Sequence, residues 1–519
     1  MQNVSEKFLS PIDICDLNNW FSPFSSFTLN SSASPILVLN HLDALFPYLK
    51  ADNGVTKDQE SLIVSAISKI ISEVTNVMSP SDIQRLSLIT EDLVKITYNF
   101  GSSAVSAAIE ALARLSGHKE TGADNVHRAK LMKLAKTFYT YANKMKDTTK
   151  DFSKTSISVR NNVHRALSVL GSICRFQDFK IDDLEDFSQS DNLTWSRLPN
   201  ACYYLFLIYL EKIDVKTQCQ AIKAMSGVFS AHPRILLAVE QTGLLQKVMS
   251  VDSHPDLQLE ALHCWVEILL GEEQRIESGD AKRQMESREK ISLSNKISGD
   301  QDSDSSLIGG VMTQHSARLY EMSSDSHPKI RVGSIQLIEH LLRQGLLNPM
   351  EAVPYLLAVQ GDICNPDLRS LALKLVIREG DKRPDMLRQR ICEGIKRAYL
   401  FQKTVYPNIR RITALVSTQS NDERKCEECI FGPIFKESKQ SRLQRNGLFR
   451  SLLNLFTGNN TVTLDDEDYS SDSKSVARQV DKNKGGIFSY LDQLPLLCFA
   501  AEILAYLPYR SSGDILFIS

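Results

Sequence analysis

Glycine and proline are both scarce, at 23 and 17 of 519 residues. Sandwiches and barrels need a turn bearing one or the other every roughly 8–12 residues, and doubly wound folds need a glycine-rich phosphate loop. Neither supply is present, and the chain has no Walker A run and no GxGxxG behind a strand-like segment. Long apolar runs are missing too. The most apolar, Ala201 to Leu210, covers ten residues, where a membrane span needs about 20. Leu494 to Tyr509 is longer but is interrupted by Glu502 and two prolines. The Met1 end carries Glu6 and Asp13 and no basic stretch leading into an apolar one. With ten cysteines scattered far apart, the chain reads as intracellular and reduced, and its Asn-x-Ser/Thr triplets as chance matches. An excess of one charge is absent: 60 Lys+Arg stand against 62 Asp+Glu, for a net charge of −2. That excludes a uniformly basic nucleic-acid binder and an acidic tail protein. What is there is ordinary globular usage, 42% apolar and 24% charged, in long stretches of helix formers. These predict an all-α protein.

Four segments share one template: a charged residue, a core-facing residue, Gln or Arg, two variable positions, a small residue and an aliphatic one. They are Lys216-Thr217-Gln218 with Ala221-Ile222, Asp256-Leu257-Gln258 with Ala261-Leu262, Lys329-Ile330-Arg331 with Ser334-Ile335, and Asp367-Leu368-Arg369 with Ala372-Leu373. Three begin just after Pro255, Pro328 and Pro366. Counting from the second position, offsets 0, 4, 7, 8 and 11 give Thr217, Ala221, Ala224, Met225 and Val228 in the first copy, and Leu368, Ala372, Leu375, Val376 and Glu379 in the last. On a helix these fall within one stripe about 100° wide. Only Glu379 breaks it, and the small residue at offset 4 is expected to admit a neighbouring backbone. The copies are 40, 73 and 38 residues apart, and periods near 40 match HEAT-type helical hairpins. The fold expected is a HEAT-repeat α-solenoid with polar loop insertions.

Organisation follows from composition. Residues 1–35, rich in Ser, Asn and Phe, read as a poorly ordered arm. Residues 36–270 read as helical hairpins, 271–310 as a polar, acidic insertion, and 311–457 as further repeats with a basic surface. Residues 458–486 form a second acidic insertion, and 487–519 a terminal helical segment. Acidic serine tracts such as Asp465 to Asp472 are solvated linkers or, more sharply, phosphorylation-controlled tails that compete with DNA for basic surface.

Chemistry is sparse. Cys426-x-x-Cys429 has no second pair at zinc spacing, and a structural zinc needs four ligands. His232, His254 and His327 each precede a proline and read as exposed turn residues. Cys174, Cys219, Cys264, Cys392 and Cys498 read as small core residues. No nucleophile, base and oxyanion site assemble, so neither an enzyme nor a cofactor is expected. Charge is more informative. From Arg369 to Arg411 twelve basic residues stand against four acidic ones, and Lys436 to Arg450 adds a net charge of +4. Cations on one helical face neutralise phosphates without reading bases. The candidate DNA-binding residues are Lys382, Arg383, Arg388, Arg390, Lys396, Arg397, Arg410 and Arg411; the competing reading makes them the solvated faces of solenoid helices. Tyr399, Phe401 and Tyr406 read as core residues.

Gly345-Leu346-Leu347-Asn348-Pro349 followed by Val353-Pro354-Tyr355-Leu356 resembles a signature of the Nipped-B type cohesin loader. Asn365-Pro366-Asp367-Leu368-Arg369, Gly394-Ile395-Lys396-Arg397-Ala398-Tyr399, Arg450 to Phe456 and Ala501 to Tyr509 are similar to later segments of that family. Upstream, Glu91 to Lys95 and Ala166 to Arg175 resemble it in the same order. The resemblance implies an elongated, hook-shaped solenoid in the nucleus that engages the cohesin SMC-kleisin complex and double-stranded DNA in chromatin. The family stimulates the cohesin ATPase and promotes loading for sister chromatid cohesion without hydrolysing ATP itself. The family is far longer. Its N-terminal segment for a TPR-type partner has no counterpart here, its continuation beyond Ile518-Ser519 is missing, and the acidic insertions are not part of its pattern. No membrane partner is expected. The alternative is another HEAT scaffold, of the transport-receptor or phosphatase-scaffold type.

Overall fold

The computed structural model describes residues 42–49, 57–75, 78, 86–117, 126–146, 155–180, 197–240, 243–277, 304–383, 385–409, 413–417, 426–437, 442–456, 486–509, 512 and 515. The chain divides into two compact units, residues 1–308 and 309–519. In the first, after 3-10 turns at Leu42–Ala44 and Phe46–Leu49, come α1 (Lys57–Val74), α2 (Ser87–Asn99), α3 (Ser102–Ser116), α4 (Val126–Met145) and α5 (Ile157–Phe176). They are followed by α6 (Leu198–Leu210), α7 (Val215–Ala231), the short α8 (Pro233–Glu240) and α9 (Leu244–Val248), and α10 (Pro255–Glu277). Helices α1, α3, α5, α7 and α10 pack in succession as one layer; α2, α4 and α6 form the other. This is a stack of helical hairpins, the architecture the 40-residue period predicts.

The second unit repeats the plan with α11 (Asp304–Met322), whose first residues precede the boundary, α12 (Pro328–Arg343), α13 (Pro349–Ala358), a 3-10 turn at Val359–Gly361, α14 (Pro366–Lys382) and α15 (Asp385–Val405). Then come α16 (Gly432–Glu437), α17 (Arg442–Leu453) and α18 (Gly486–Tyr506). Helices α13, α15 and α17 form one layer and α12, α14 and α16 the other. Between α15 and α16 a small antiparallel ribbon departs from the all-α expectation: β1 (Ala414–Ser417) pairs with β2 (Cys426–Cys429), from Ala414 opposite Cys429 to Ser417 opposite Cys426. Cys426-x-x-Cys429 is therefore a strand, and the buried Cys429 thiol donates to the Ile503 carbonyl of α18 at 3.7 Å.

The repeat register is the core. Every residue at offsets 0, 4, 7, 8 and 11 of the four copies is buried, from Thr217 at 0% to Leu257 at 9% exposure. Glu379, expected to break the stripe, is buried as well and accepts from Lys382 Nζ at 2.9 Å and Arg378 Nε at 3.1 Å. The Gln or Arg at offset 1 has a common job. Gln218 donates to the Leu210 carbonyl at 2.9 Å, and Gln258 to Ser250 at 2.8 Å and Ser253 at 3.0 Å. Arg331 donates to Asp325 at 2.9 Å and Ser326 at 3.1 Å, and Arg369 to Asp362 at 2.8 Å. Each satisfies carbonyls of the turn that precedes its own helix, which would otherwise be left orphaned at a helix end.

The prolines read as helix starts are the first residues of α10, α12 and α14, where a missing N–H costs nothing. Asp214 caps α7 through the Thr217 amide at 3.1 Å, and Asn348 caps α13 through Met350 at 3.1 Å. Gly345 takes φ +73, and the Leu346 amide donates back to Leu341 at 2.9 Å, which ends α12 in a left-handed cap. The stretch Gly345 to Pro349 is thus a stop, a reversal and a start.

The close backbone approach lies at other positions than offset 4. A Cβ on Gly171 of α5 would stand 2.7 Å from Ala224 Cα and 2.8 Å from its carbonyl oxygen, so α5 and α7 cross on a Gly171–Ala224–Gly227 seam. Gly271 repeats this against Ser230, where a Cβ would meet Ser230 Cβ at 2.8 Å. This seam corrects the boundary drawn at 271. Gly271 is a packing glycine inside α10, which runs to Glu277, and helix resumes at Asp304, before Gly310. The 458–486 insertion and the arm at 1–35 fall, apart from Gly486, outside the described residues.

Gly171→Ala forces two backbones apart and is expected to lower the unfolding free energy by about 1–3 kcal/mol. Gly310→Ala, where nothing lies within 4 Å of the added methyl, is expected to raise it by about 0.4–1 kcal/mol. Urea unfolding followed by circular dichroism reads both, and equal shifts for the two would contradict the seam.

Candidate functional site

Of the predicted cations, Lys382 lies on α14, Arg383 directly after it, and Arg388, Arg390, Lys396 and Arg397 on α15, and what holds these two helices is a buried polar node that no sequence motif announces. Asp362, fully buried, follows the 3-10 turn after α13. It accepts from Arg331 Nε of α12 at 2.9 Å, from Tyr406 Oη just past α15 at 2.6 Å, from Asn365 Nδ2 at the start of α14 at 3.0 Å, and from the Cys364 amide at 3.1 Å. Arg331 is buried at 1% exposure and lies over the Phe401 ring, 5.8 Å from its centroid. Burial alone would push the Asp362 carboxyl up. The hydrogen bonds from Asn365 and Tyr406 and the Arg331 charge outweigh it and hold the group below its ordinary 3.8. Burial and the bond to Asp362 push the Tyr406 phenol well above its usual range. One carboxylate thus ties α12, the start of α14 and the end of α15. Arg331 and Arg369 are visible in the repeat template; the further signal is an aspartate in the turn between them.

On this frame the eight candidates separate. Lys382 ends α14 exposed but ion-paired with Glu379. Arg383, the next residue, is exposed and has no ion-pair partner among the described residues. Arg388 faces α17: its Nε is 3.4 Å from Asp385, and a Cβ on Gly447 would stand 2.9 Å from its Cδ. Arg390 and Arg397 lie seven residues apart on another flank, both half-buried. Arg397 donates from Nε to Glu393 at 3.0 Å and stacks over Tyr355 of α13 at 4.7 Å, and Tyr355 stacks on Tyr320 of α11, centroids 4.7 Å apart. Lys396, half-buried, shares a solvent-facing line with exposed Lys403, which the basic stretch contains but the eight leave out. Arg410 and Arg411 lie outside the described residues. The structure therefore brings Arg383, Lys396 and Lys403 forward as outward charges and gives Lys382, Arg388 and Arg397 partners within the fold.

The remaining sequence candidates are structural. Phe401 is buried, Tyr406 serves Asp362, and Tyr399 packs half-buried against Phe499 at 5.9 Å. Cys392 donates to the Ser451 carbonyl of α17 at 2.9 Å. His254 is exposed as expected, whereas His232 and His327 are half-buried at helix ends. Gly394 is required by packing, since a Cβ there would stand 3.0 Å from Leu357 Cβ of α13. Among the described residues no group of His, Cys, Asp and Glu is placed to hold a metal, and no helix is long and apolar enough to cross a membrane.

Comparison with known proteins adds to this geometry. Residues 308–519 match the family model described as sister chromatid cohesion C-terminus, Nipped-B_C. The Nipped-B-like protein A of Danio rerio is 22% identical over 487 residues, 93% of this chain and 18% of the relative. The Nipped-B-like protein of Homo sapiens is 21% identical over 442 residues, 84% of this chain and 15% of the relative. This chain thus spans less than a fifth of the length of either. Among solved structures, the C-terminal fragment of the Chaetomium thermophilum cohesin loader SCC2 matches with a TM-score of 0.64 over 94% of this chain and 32% of that one, at 12% identity. That likeness is one of fold.

Asp362→Asn leaves Arg331 buried without a counter-charge and is expected to cost about 3–5 kcal/mol of stability. The native carboxyl has a folded pKa below its unfolded value. Its contribution is therefore complete above about pH 4 and is lost as pH falls through the lower folded value. Denaturant unfolding between neutral and acid pH should show the variant's deficit shrinking toward zero at the acid end. A deficit independent of pH would exclude the charge-based account.

Proposed function

We propose that the chain, whose residues 308–519 match the family model described as sister chromatid cohesion C-terminus, is a member of the Nipped-B type cohesin-loader family and acts as a nuclear scaffold in sister chromatid cohesion. In this reading it binds the cohesin SMC-kleisin complex and double-stranded DNA together, stimulates the ATPase of its partner and promotes loading onto chromatin, while catalysing nothing itself. The observation that carries it is a coincidence of two things. The stretch that matches the family model is the stretch in which α14 and α15 are fixed by a buried carboxylate and turn Arg383, Lys396 and Lys403 outward. A rigid helix pair with outward cations suits the phosphate backbone, which is read by charge and position and not by base identity.

DNA affinity should fall linearly with the logarithm of salt concentration and show little sequence preference. Reversing Arg383, Lys396 and Lys403 to Glu is expected to weaken duplex binding tenfold or more and to reduce the salt slope by about 2–3, roughly 0.9 for each phosphate that is no longer neutralised. DNA-dependent stimulation of the cohesin ATPase should fall with it. A folded variant that stimulates as the parent does would remove this surface from the reading.

A further inference from the structure

Three aliphatic side chains stand out of the first unit. Ile157, Ile213 and Val251 are 68%, 69% and 74% exposed, the highest values of any large apolar side chain among the described residues. Ile157 is the first residue of α5, Ile213 precedes the Asp214 cap of α7, and Val251 lies in the turn before α10. Local packing does not account for them. A hydrophobic staple would set Ile213 against the fourth residue of its helix, but that residue is Gln218, which donates to the Leu210 carbonyl. The three share one edge. Helices α5 and α7 run in a constant register, since His164 meets Thr217 at 2.9 Å and a Cβ on Gly171 would meet Ala224, both pairs 53 residues apart. Helices α7 and α10 keep an offset of 41, in Ser230 against Gly271 and in the charge of Glu260 felt at Cys219. Carried back to the starts of the helices, these offsets bring Ile157, Ile213 and Val251 within about one helical turn of a common level. Exposed aliphatic residues scattered singly need no explanation; the same feature at the same place in three successive helices of one layer does. Charge is graded along this edge. Toward α5 stand Lys146, Arg160 and Lys216 against Asp214 and Glu211, and Arg160 and Lys216 lower further the His164 pKa that burial already depresses. Toward α10 stand Asp252, Asp256 and Glu260 against Lys247. Burial, with Glu260, Asp256 and Asp214 adding to it, pushes the Cys219 thiol of α7 up to about 12.

We infer that this edge of the first unit docks an extended peptide segment with an aliphatic side chain at every third position, acidic at its end over α5 and basic at its end over α10. Spacing selects the occupant and charge sets its direction. Packed helices lie about 8–10 Å apart, and a polyproline-II segment, with three residues per turn and a rise of about 3.1 Å, returns every third side chain to one face after about 9 Å. A β-strand returns to one face after about 7 Å and is out of step by the third contact. A docked α-helix lays a continuous apolar stripe into a groove, whereas polar residues separate the three aliphatic ones here. The polyproline-II backbone also keeps its amides and carbonyls unbonded, and Ser158, Lys216 and Asp252 are exposed beside the aliphatic residues to meet them. A second copy of this chain is too large an occupant, since a stable interface buries about 1,200–2,000 Å², more than three side chains supply. Carboxylates at the α10 end oppose a nucleic acid or an anionic membrane. The edge lies in the first unit, outside residues 308–519, and its geometry holds whether or not the chain acts in cohesion.

The test uses the full chain and fluorescein-labelled synthetic peptides of about twelve residues, with leucine at every third position, proline between to favour the polyproline-II form, glutamate at one end and lysine at the other. Both chain directions are made. Fluorescence anisotropy should show saturable binding in at least one direction, and moving the leucines to every second position should weaken it at least tenfold. Ile157→Ser, Ile213→Ser and Val251→Ser combined should also weaken it at least tenfold, with the helical circular dichroism unchanged. Should that variant unfold, Ile213→Ser alone, in a turn outside any helix, gives a severalfold loss. Asp252→Lys with Asp256→Lys should weaken the same peptide and tighten one in which glutamate replaces the lysines. No binding in either direction, or parent affinity in a folded serine variant, would overturn the edge as a peptide site. So would duplex DNA, or vesicles of phosphatidylserine and phosphatidylcholine, that bind the parent and are lost on the serine substitutions, because the occupant would then be a nucleic acid or a membrane.

Discussion

Each hairpin leaves, at the turn between its helices, carbonyl oxygens that no helix hydrogen bond satisfies. The rest of this structure depends on how those oxygens find donors. In four copies the residue at offset 1 of the second helix reaches back to the preceding turn: Gln218, Gln258, Arg331 and Arg369 donate to main-chain carbonyls five to eight residues upstream. A glutamine suffices where the turn presents only carbonyls. An arginine adds a charge, and Arg331 meets that charge with Asp362, which then gathers Tyr406 and Asn365. What begins as local satisfaction of a turn becomes a link between three helices.

That progression explains how much of the fold is legible in residue order. The stripe at offsets 0, 4, 7, 8 and 11 is visible because hydrophobic burial at helical spacing writes itself directly into residue type, and the proline starts are visible because φ and the missing N–H restrict where proline fits. Glu379 misleads because a carboxylate looks like the end of an apolar face unless its cations are known; Lys382 and Arg378 supply them. Asp362 is invisible because its partners lie 31 and 44 residues away, and no periodicity connects a turn aspartate to a tyrosine beyond the next two helices. Gly271 passes for the edge of a polar insertion because composition cannot tell a packing glycine from a loop glycine.

The charge is legible as a quantity and not as a surface. Counting places a net charge of +8 between Arg369 and Arg411, yet helical geometry sends those charges to different sides. Arg388 turns toward α17, Arg397 onto Tyr355, and Lys382 onto a buried glutamate. The outward set is smaller than the count and includes Lys403.

The turn from Gly345 to Pro349 carries the resemblance noted in the sequence, and its hydrogen bonds are local, to its own backbone and from Asn348 to the nearby Glu351. Gly345 supplies a left-handed φ, Asn348 a cap, and Pro349 a first helical residue. Recognition through such a turn is recognition of folding grammar. Two proteins that share it are committed to the same bend in the chain at the same place, while the outward faces of the helices on either side remain free to carry different cargo.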